Sequence, residues 1–134
     1  MRPHERTVFE AVIDFLPEHA QALLRFQLKE TTFVQRSHKQ ICRPRFYTRL
    51  YSRDRRAIDD PEYSEKLIVV QVDVEGAKQA AHVEFFRGRV DSIQFKQPGA
   101  YYAGKKIKVM GVRAGKVSLS HAAAIDRREH GTEQ

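Results

Sequence analysis

The sequence predicts an α+β fold, with N-terminal helical segments packed on one face of a curved, mostly antiparallel meander sheet of about five to seven strands. Three observations carry this expectation. Apolar residues recur at helical spacing only as far as Lys29, and beyond it the period changes to two. The connections between the alternating segments are short, with Gly76, Gly88, Gly104 and Gly115 punctuating them, which leaves no room for parallel crossovers.

Taken in order, Phe9, Val12, Ile13 and Leu16 form one helical stripe. Pro17 suits the first turn of a second helix whose apolar positions are Ala20, Leu23, Leu24 and Leu28. Strands are expected near Thr32–Arg36, Ile41–Tyr51, Lys66–Glu75, Ala81–Phe86, Val90–Lys96, Lys106–Val112 and Lys116–Ser120. Setting residue 73 opposite 82 places Val74 against Ala81, Val72 against Val83 and Val70 against Phe85, around a four-residue loop Gly76–Gln79. Val83, Phe85, Ile93 and Phe95 share odd numbering, so the next hairpin needs an odd-length loop, with Gly88 left-handed in a bulged turn Arg87-Gly88-Arg89. Ile107, Val109, Val117 and Leu119 complete an inner face for the helices to cover.

The 134 residues are one domain's worth, 1–134, with a polar mobile loop expected at 52–64 and a frayed tail at 126–134. An apolar fraction of 41%, with eight Phe and five Tyr, suffices for one core and excludes wholesale disorder despite 31% charged residues. Cys42 is the only cysteine, which excludes an intramolecular disulfide framework and any site of several thiolates, and suits a reducing compartment. No apolar run approaches a membrane span, and the opening Met1-Arg-Pro-His-Glu-Arg resembles no signal peptide, so a cytoplasmic location is expected.

Twenty-four Lys and Arg against 17 Asp and Glu give a formal charge of +7, unevenly spread. Residues 25–56 hold ten basic groups and two acidic ones, whereas residues 57–92 hold eight acidic and four basic. The second strand concentrates the excess. Its odd positions read Arg43, Arg45, Tyr47, Arg49, Tyr51 and Arg53, and its even positions are mostly apolar. Guanidinium groups neutralise phosphates while flat rings stack on unpaired bases, so this face suits nucleic acid. The competing reading is an edge strand, suggested by Pro44, whose charges block edge-to-edge pairing. A second basic and aromatic cluster, Tyr101, Tyr102, Lys105, Lys106 and Lys108, follows Gly99 and repeats the theme.

The predicted register also gathers Asp73, His82, Gln71, Glu84, Gln94 and Lys96 on one polar face. That carboxylate pair with Gln94-Phe95-Lys96 resembles the core of PD-(D/E)-x-K metal-dependent nucleases, which implies Asp73, His82 and Glu84 as candidate metal ligands. A loop at Gln97 to Gly104 stands where that motif leads on to a helix. His82-Val-Glu84 matches half of a zinc-deaminase signature that no downstream Pro-Cys-x-x-Cys completes. Cys42 has an even number and should face the core, and the remaining histidines have no metal-ligand spacing. No phosphate loop, dinucleotide fingerprint or nucleophile elbow occurs.

The stretch Phe15-Leu-Pro-Glu-His-Ala-Gln-Ala-Leu-Leu-Arg-Phe26 resembles the leucine-proline helix start of the SUKH superfamily, many of whose members are bacterial immunity proteins. The glycine-containing stretch that usually follows is absent, and that resemblance implies a protein–protein interaction role. The expectation favoured by the residues is a non-catalytic binding module for RNA, single-stranded DNA or another polyanion, needing no cofactor. A protein partner and a metal-dependent nuclease are the alternatives.

Overall fold

The computed structural model describes residues 1–39, 45–52 and 56–116. Two helices, α1 (Pro3–Phe15) and α2 (Glu18–Lys29), precede six strands: β1 (Thr31–Lys39), β2 (Arg45–Ser52), β3 (Glu65–Val74), β4 (Ala77–Phe86), β5 (Arg89–Phe95) and β6 (Ile107–Gly115). A 3-10 turn, Pro61–Tyr63, precedes β3, and a single helical turn, α3 (Gly99–Tyr102), precedes β6. Residues 117–120 of the expected strand Lys116–Ser120, the start of the second strand with Cys42 and Arg43, and the tail 126–134 lie outside the described residues.

Proline sets the helix boundaries. Pro3 occupies the first turn of α1, where a missing N–H costs nothing. Leu16, ahead of Pro17, is driven to extended backbone at φ −76°, ψ 153°, and breaks the two helices apart. Val8, Phe9, Val12 and Ile13 of α1, with Leu16, Ala20 and Leu24, are buried against the sheet.

The strands form one antiparallel sheet in the order β1-β2-β5-β4-β3-β6, an α+β architecture with its helices on one face. β3, β4 and β5 are a meander, β2 joins at β5 and β6 at β3. Even residues of β3 and odd residues of β4, among them Ile68, Val70, Val83 and Phe85, form the floor of the core with Val90, Ile93 and Phe95 of β5. The faces therefore follow the expected alternation, and Ile107 and Val109 pack beside them. Val117 and Leu119 lie outside the described residues.

The expected β3–β4 register is corrected by four residues. Asp73 lies opposite Lys78, Val72 opposite Gln79, Val70 opposite Ala81 and Ile68 opposite Val83. The loop is only Glu75-Gly76, both left-handed at φ 51° and 97°, a pair of positive φ values that matches strand twist. Asp73 Oδ1 accepts from the Gly76 N–H at 2.7 Å and braces the turn. A shift of four preserves parity, so every side chain keeps its face while its neighbours change.

The β4–β5 turn is likewise two residues, Arg87-Gly88, at φ 54° and 78°. The odd residue required by parity sits in β5, where Asp91 is inserted between Val90, opposite Phe85, and Ser92, opposite Glu84. Of the expected loop 52–64, residues 53–55 lie outside the described residues, and in the rest two side chains pack down beside this turn. Ile58 and Tyr63 are buried, and Gly88 exchanges backbone hydrogen bonds with both, accepting from Ile58 N at 2.8 Å and donating to Tyr63 O at 2.9 Å. Gln27 of α2 completes the clasp. Its Nε2 donates to the carbonyls of Arg56 and Gly88, both at 3.1 Å, and its Oε1 accepts from Val90 N at 3.0 Å.

A Cβ at Gly88 would lie 2.7 Å from the Ile58 carbonyl oxygen, at a φ that other residues adopt with strain. Gly88→Ala is expected to destabilise the fold by about 1–3 kcal/mol, read as a lower denaturant midpoint at unchanged slope. An unchanged midpoint would show that the clasp is slack.

Candidate nucleic-acid interface

β2 is an internal strand, paired with β1 through Gln35↔Arg49 and with β5 through Arg49↔Ser92. The edge-strand reading is thereby corrected, because β1 occupies the edge. Its even side chains turn toward the helices: Leu50 joins the core and Thr48 is buried beneath α1. The odd ones, Arg45, Tyr47, Arg49 and Tyr51, take the opposite face.

Each described arginine of this stripe is anchored to the protein. Arg45 reaches across β5, and its Nη2 donates to the carbonyls of Gln94 at 3.3 Å and Ala80 at 3.0 Å. Arg49 Nε lies 3.4 Å from Asp91 Oδ1, with both side chains largely buried. The bulge in β5 is what places Asp91 there. The Arg49 guanidinium also lies 5.6 Å from the centroid of the Tyr51 ring, and Tyr51 donates its hydroxyl to Gln35 Oε1 at 3.2 Å while 38% exposed. The β2–β5 ladder ends at Arg49, and beyond it a cavity of about 140 Å³ opens among Arg49, Tyr51, Arg89 and Asp91. Arg53 and Arg43 are outside the described residues.

The second predicted cluster is divided. Tyr102 is buried rather than presented on a loop: its hydroxyl donates to Gln79 Oε1 at 2.6 Å and accepts from Gln97 N at 3.2 Å. Burial raises its pKa, which keeps the phenol protonated and donating. Tyr101 is half-buried with the Lys105 ammonium 3.5 Å from its ring centroid. Lys106 donates its N–H to Glu75 Oε2, and exposed Lys108 stands opposite Asp73 on β6. Tyr102 packs on Phe95, on the helix side of the sheet, and of the stripe Arg45 is near enough for its charge to act on the phenol. Lys108 lies four strands from β2, about 19 Å at ordinary strand spacing.

The corrected register also separates the nuclease-like candidates. Asp73 braces its hairpin, while Glu84 lies six residues up β4 from Asp73's partner Lys78, about 20 Å away. Glu84 is buried and accepts from Ser92 Oγ at 2.7 Å and from Gln94 Nε2. His82 stands between Val69 and Gln94. Among the described residues no group of three or more His, Cys, Asp and Glu could hold a metal ion.

A cluster invisible in the sequence lies at the start of α1. Glu5 is 1% exposed and accepts from Thr48 Oγ1 at 2.7 Å, Arg36 Nη2 at 2.8 Å and the Arg2 N–H at 2.9 Å. Burial alone would raise its pKa, but those hydrogen bonds and the Arg36 charge outweigh it and hold the carboxyl below its ordinary value. His4 is stacked on Tyr102 at 4.6 Å and meets Phe95 edge-on at 4.6 Å, and burial lowers its pKa. Arg36 and His38 alternate on β1, with His38 stacked on Phe46 at 4.4 Å. The only local signal for this cluster is an acidic residue in the first turn of a helix.

No protein-family model, no curated protein and no solved structure matches the chain. No helix among the described residues is long and apolar enough to cross a membrane.

The two shifted groups predict the acid limb of stability. His4 takes up its proton less readily in the fold than in the unfolded chain, so near and below the ordinary pKa of 6.5 the unfolded chain binds more protons and stability rises with pH. Glu5 is depressed, so its contribution is present above 4.5 and is lost as pH falls through the lower folded value. Melting temperature should therefore fall in two stages on acidification. His4→Phe should remove the first and Glu5→Gln the second, and parallel pH profiles for wild type and both variants would contradict the assignment.

Proposed function

We propose that this protein is a non-catalytic binding module for nucleic acid, RNA or single-stranded DNA, or a comparable polyanion, which it engages through the odd-numbered face of β2. The observation that carries the reading is the alternation of arginine and tyrosine on the face of an internal strand opposite α1 and α2, where charge has no edge to protect. Tyr51, partly exposed with the Arg49 guanidinium beside its ring, supplies a stacking surface. A formal charge of +7 supplies long-range attraction to phosphate. Within this reading Arg45 and Arg49 position the face, because both are held by the sheet, and Tyr51 and Tyr47 stack.

The test is fluorescence anisotropy with a labelled oligo(dT) and a duplex of equal length, at two salt concentrations. Affinity should fall steeply with salt. Tyr51→Ala should cost about 1–3 kcal/mol on the single strand and much less on the duplex, since only unpaired bases offer a face. Lys78→Gln, remote on β4, is the control. Equal losses from Tyr51→Ala and Lys78→Gln would reduce the binding to net charge, and no binding at low salt would retire the reading in favour of a protein partner.

A further inference from the structure

A two-lobed hollow lies at the N-terminal end of α1, and of the β2 stripe only Tyr47 is among its described lining residues. One lobe, about 310 Å³, is lined by Arg36, His38, Phe46, Thr48, Phe95 and Gln97 among others. The other, about 530 Å³, is walled by Pro3, Ala100, Ala103 and Ile107, with Lys105 at its rim. The lobes meet at Arg2, His4 and Gly99, which line both. Their combined size falls in the range of small-molecule sites, and a largely apolar wall with a few convergent polar groups is the usual composition of such sites.

The charged side chains of the hollow are mostly cationic, with Arg2, Arg36 and Lys105 against one carboxylate. Glu5 is the one acidic residue among its described lining residues, and its carboxylate is already occupied by Thr48, Arg36 and the Arg2 N–H. Arg36 gives one of its five N–H donors to Glu5. The Arg2 guanidinium lies at the junction, pressed so closely on Gly99 that a Cβ there would be 1.8 Å from its Nη1. Gly99 thus leaves room for a cation between the apolar lobe and the Arg36 side. Thr7 directs its hydroxyl to the Pro3 carbonyl and Tyr102 directs its own to Gln79, so neither competes for a ligand. His4 presents a neutral ring. One buried, fully matched carboxylate against Arg2, Arg36 and Lys105 leaves the hollow positive and rich in donors.

We propose that this hollow binds a small organic anion, with its apolar body between Pro3, Ala100, Ala103 and Ile107 and its oxyanion group between Arg2 and Arg36. Guanidinium groups accept carboxylate and phosphate in the same forked geometry, so the shared chemistry is an oxyanion on an apolar body. The two arginines and the apolar wall invoked here are not residues of the β2 face, so either reading can fail while the other stands, although Tyr47 borders both.

The experiment is isothermal titration of the full chain with 1-naphthoate, 1-naphthyl phosphate, uncharged 1-naphthol and inorganic phosphate. The expected result is 1:1 binding of at least one of the two naphthyl anions, about tenfold or more tighter than naphthol and inorganic phosphate alike. The ratio between the two anions then distinguishes a carboxylate from a phosphate head group. Arg2→Gln, a change at an exposed side chain, should weaken that anion by about tenfold with naphthol unaffected. Ala103→Phe, which fills the apolar lobe, should weaken anion and naphthol together, with circular dichroism checking that both variants fold. No 1:1 binding of either anion, naphthol binding as tightly as the anions, or unchanged affinity in Arg2→Gln would each overturn the proposal.

Discussion

Glu5 carries a carboxylate into the interior, and the relation of α1 to the sheet follows from how that charge is matched. Its three donors come from three places: the backbone of Arg2 ahead of the helix, Arg36 on β1 and Thr48 on β2. A buried carboxylate without such partners would lose several kcal/mol of solvation uncompensated, so the first turn of α1 has one position over these strands and not a range of them. The same contact fixes the even face of β2 as the helix side. By alternation it thereby assigns Arg45, Tyr47, Arg49 and Tyr51 to the other face. The apolar stripe of α1 supplies the greater part of the burial, and the carboxylate supplies the orientation.

The end of α2 is held by a neutral counterpart. Gln27 uses both ends of its amide to join α2, the segment at Arg56 and the Arg87-Gly88 turn. This turn initiates β5, and the bulge three residues later brings Asp91 to Arg49. Two polar contacts, one at each helix, therefore set the surroundings of the β2 stripe. One decides which side chains occupy its face, and the other decides how its central guanidinium is held against Tyr51.

The sequence made the faces legible and left the partners obscure. Alternation assigns Val83, Phe85 and Ile93 to one side whatever the loop length, because parity survives any even shift in register. The register itself turned on Glu75-Gly76, a pair outside the usual Asn-Gly and Asp-Gly hairpin signals, whose left-handed glutamate depends on a brace from Asp73. A four-residue turn there would bring Asp73 and Glu84 together, whereas the two-residue turn keeps them apart. The destination of Arg45 could not be read locally, since the carbonyls of Ala80 and Gln94 become its neighbours only once β5 lies between β2 and β4. Glu5 presented as an ordinary first-turn acid because its partners lie 31 and 43 residues away. Tyr102 looked like a loop tyrosine because the glycines around it conceal a helical turn tucked under His4.

The stripe on β2 unites the composition of the chain with its architecture, since the most basic stretch of sequence supplies a strand whose charges neither guard an edge nor face the core. Mapping amide chemical shifts of the labelled protein while titrating a short single-stranded oligonucleotide would test this most directly. The account predicts that the largest changes gather at Tyr47, Arg49 and Tyr51 and at their cross-strand neighbours Gln35 and Ser92. Changes confined to the exposed sides of α1 and α2, with the β2 amides unmoved by saturating oligonucleotide, would contradict it.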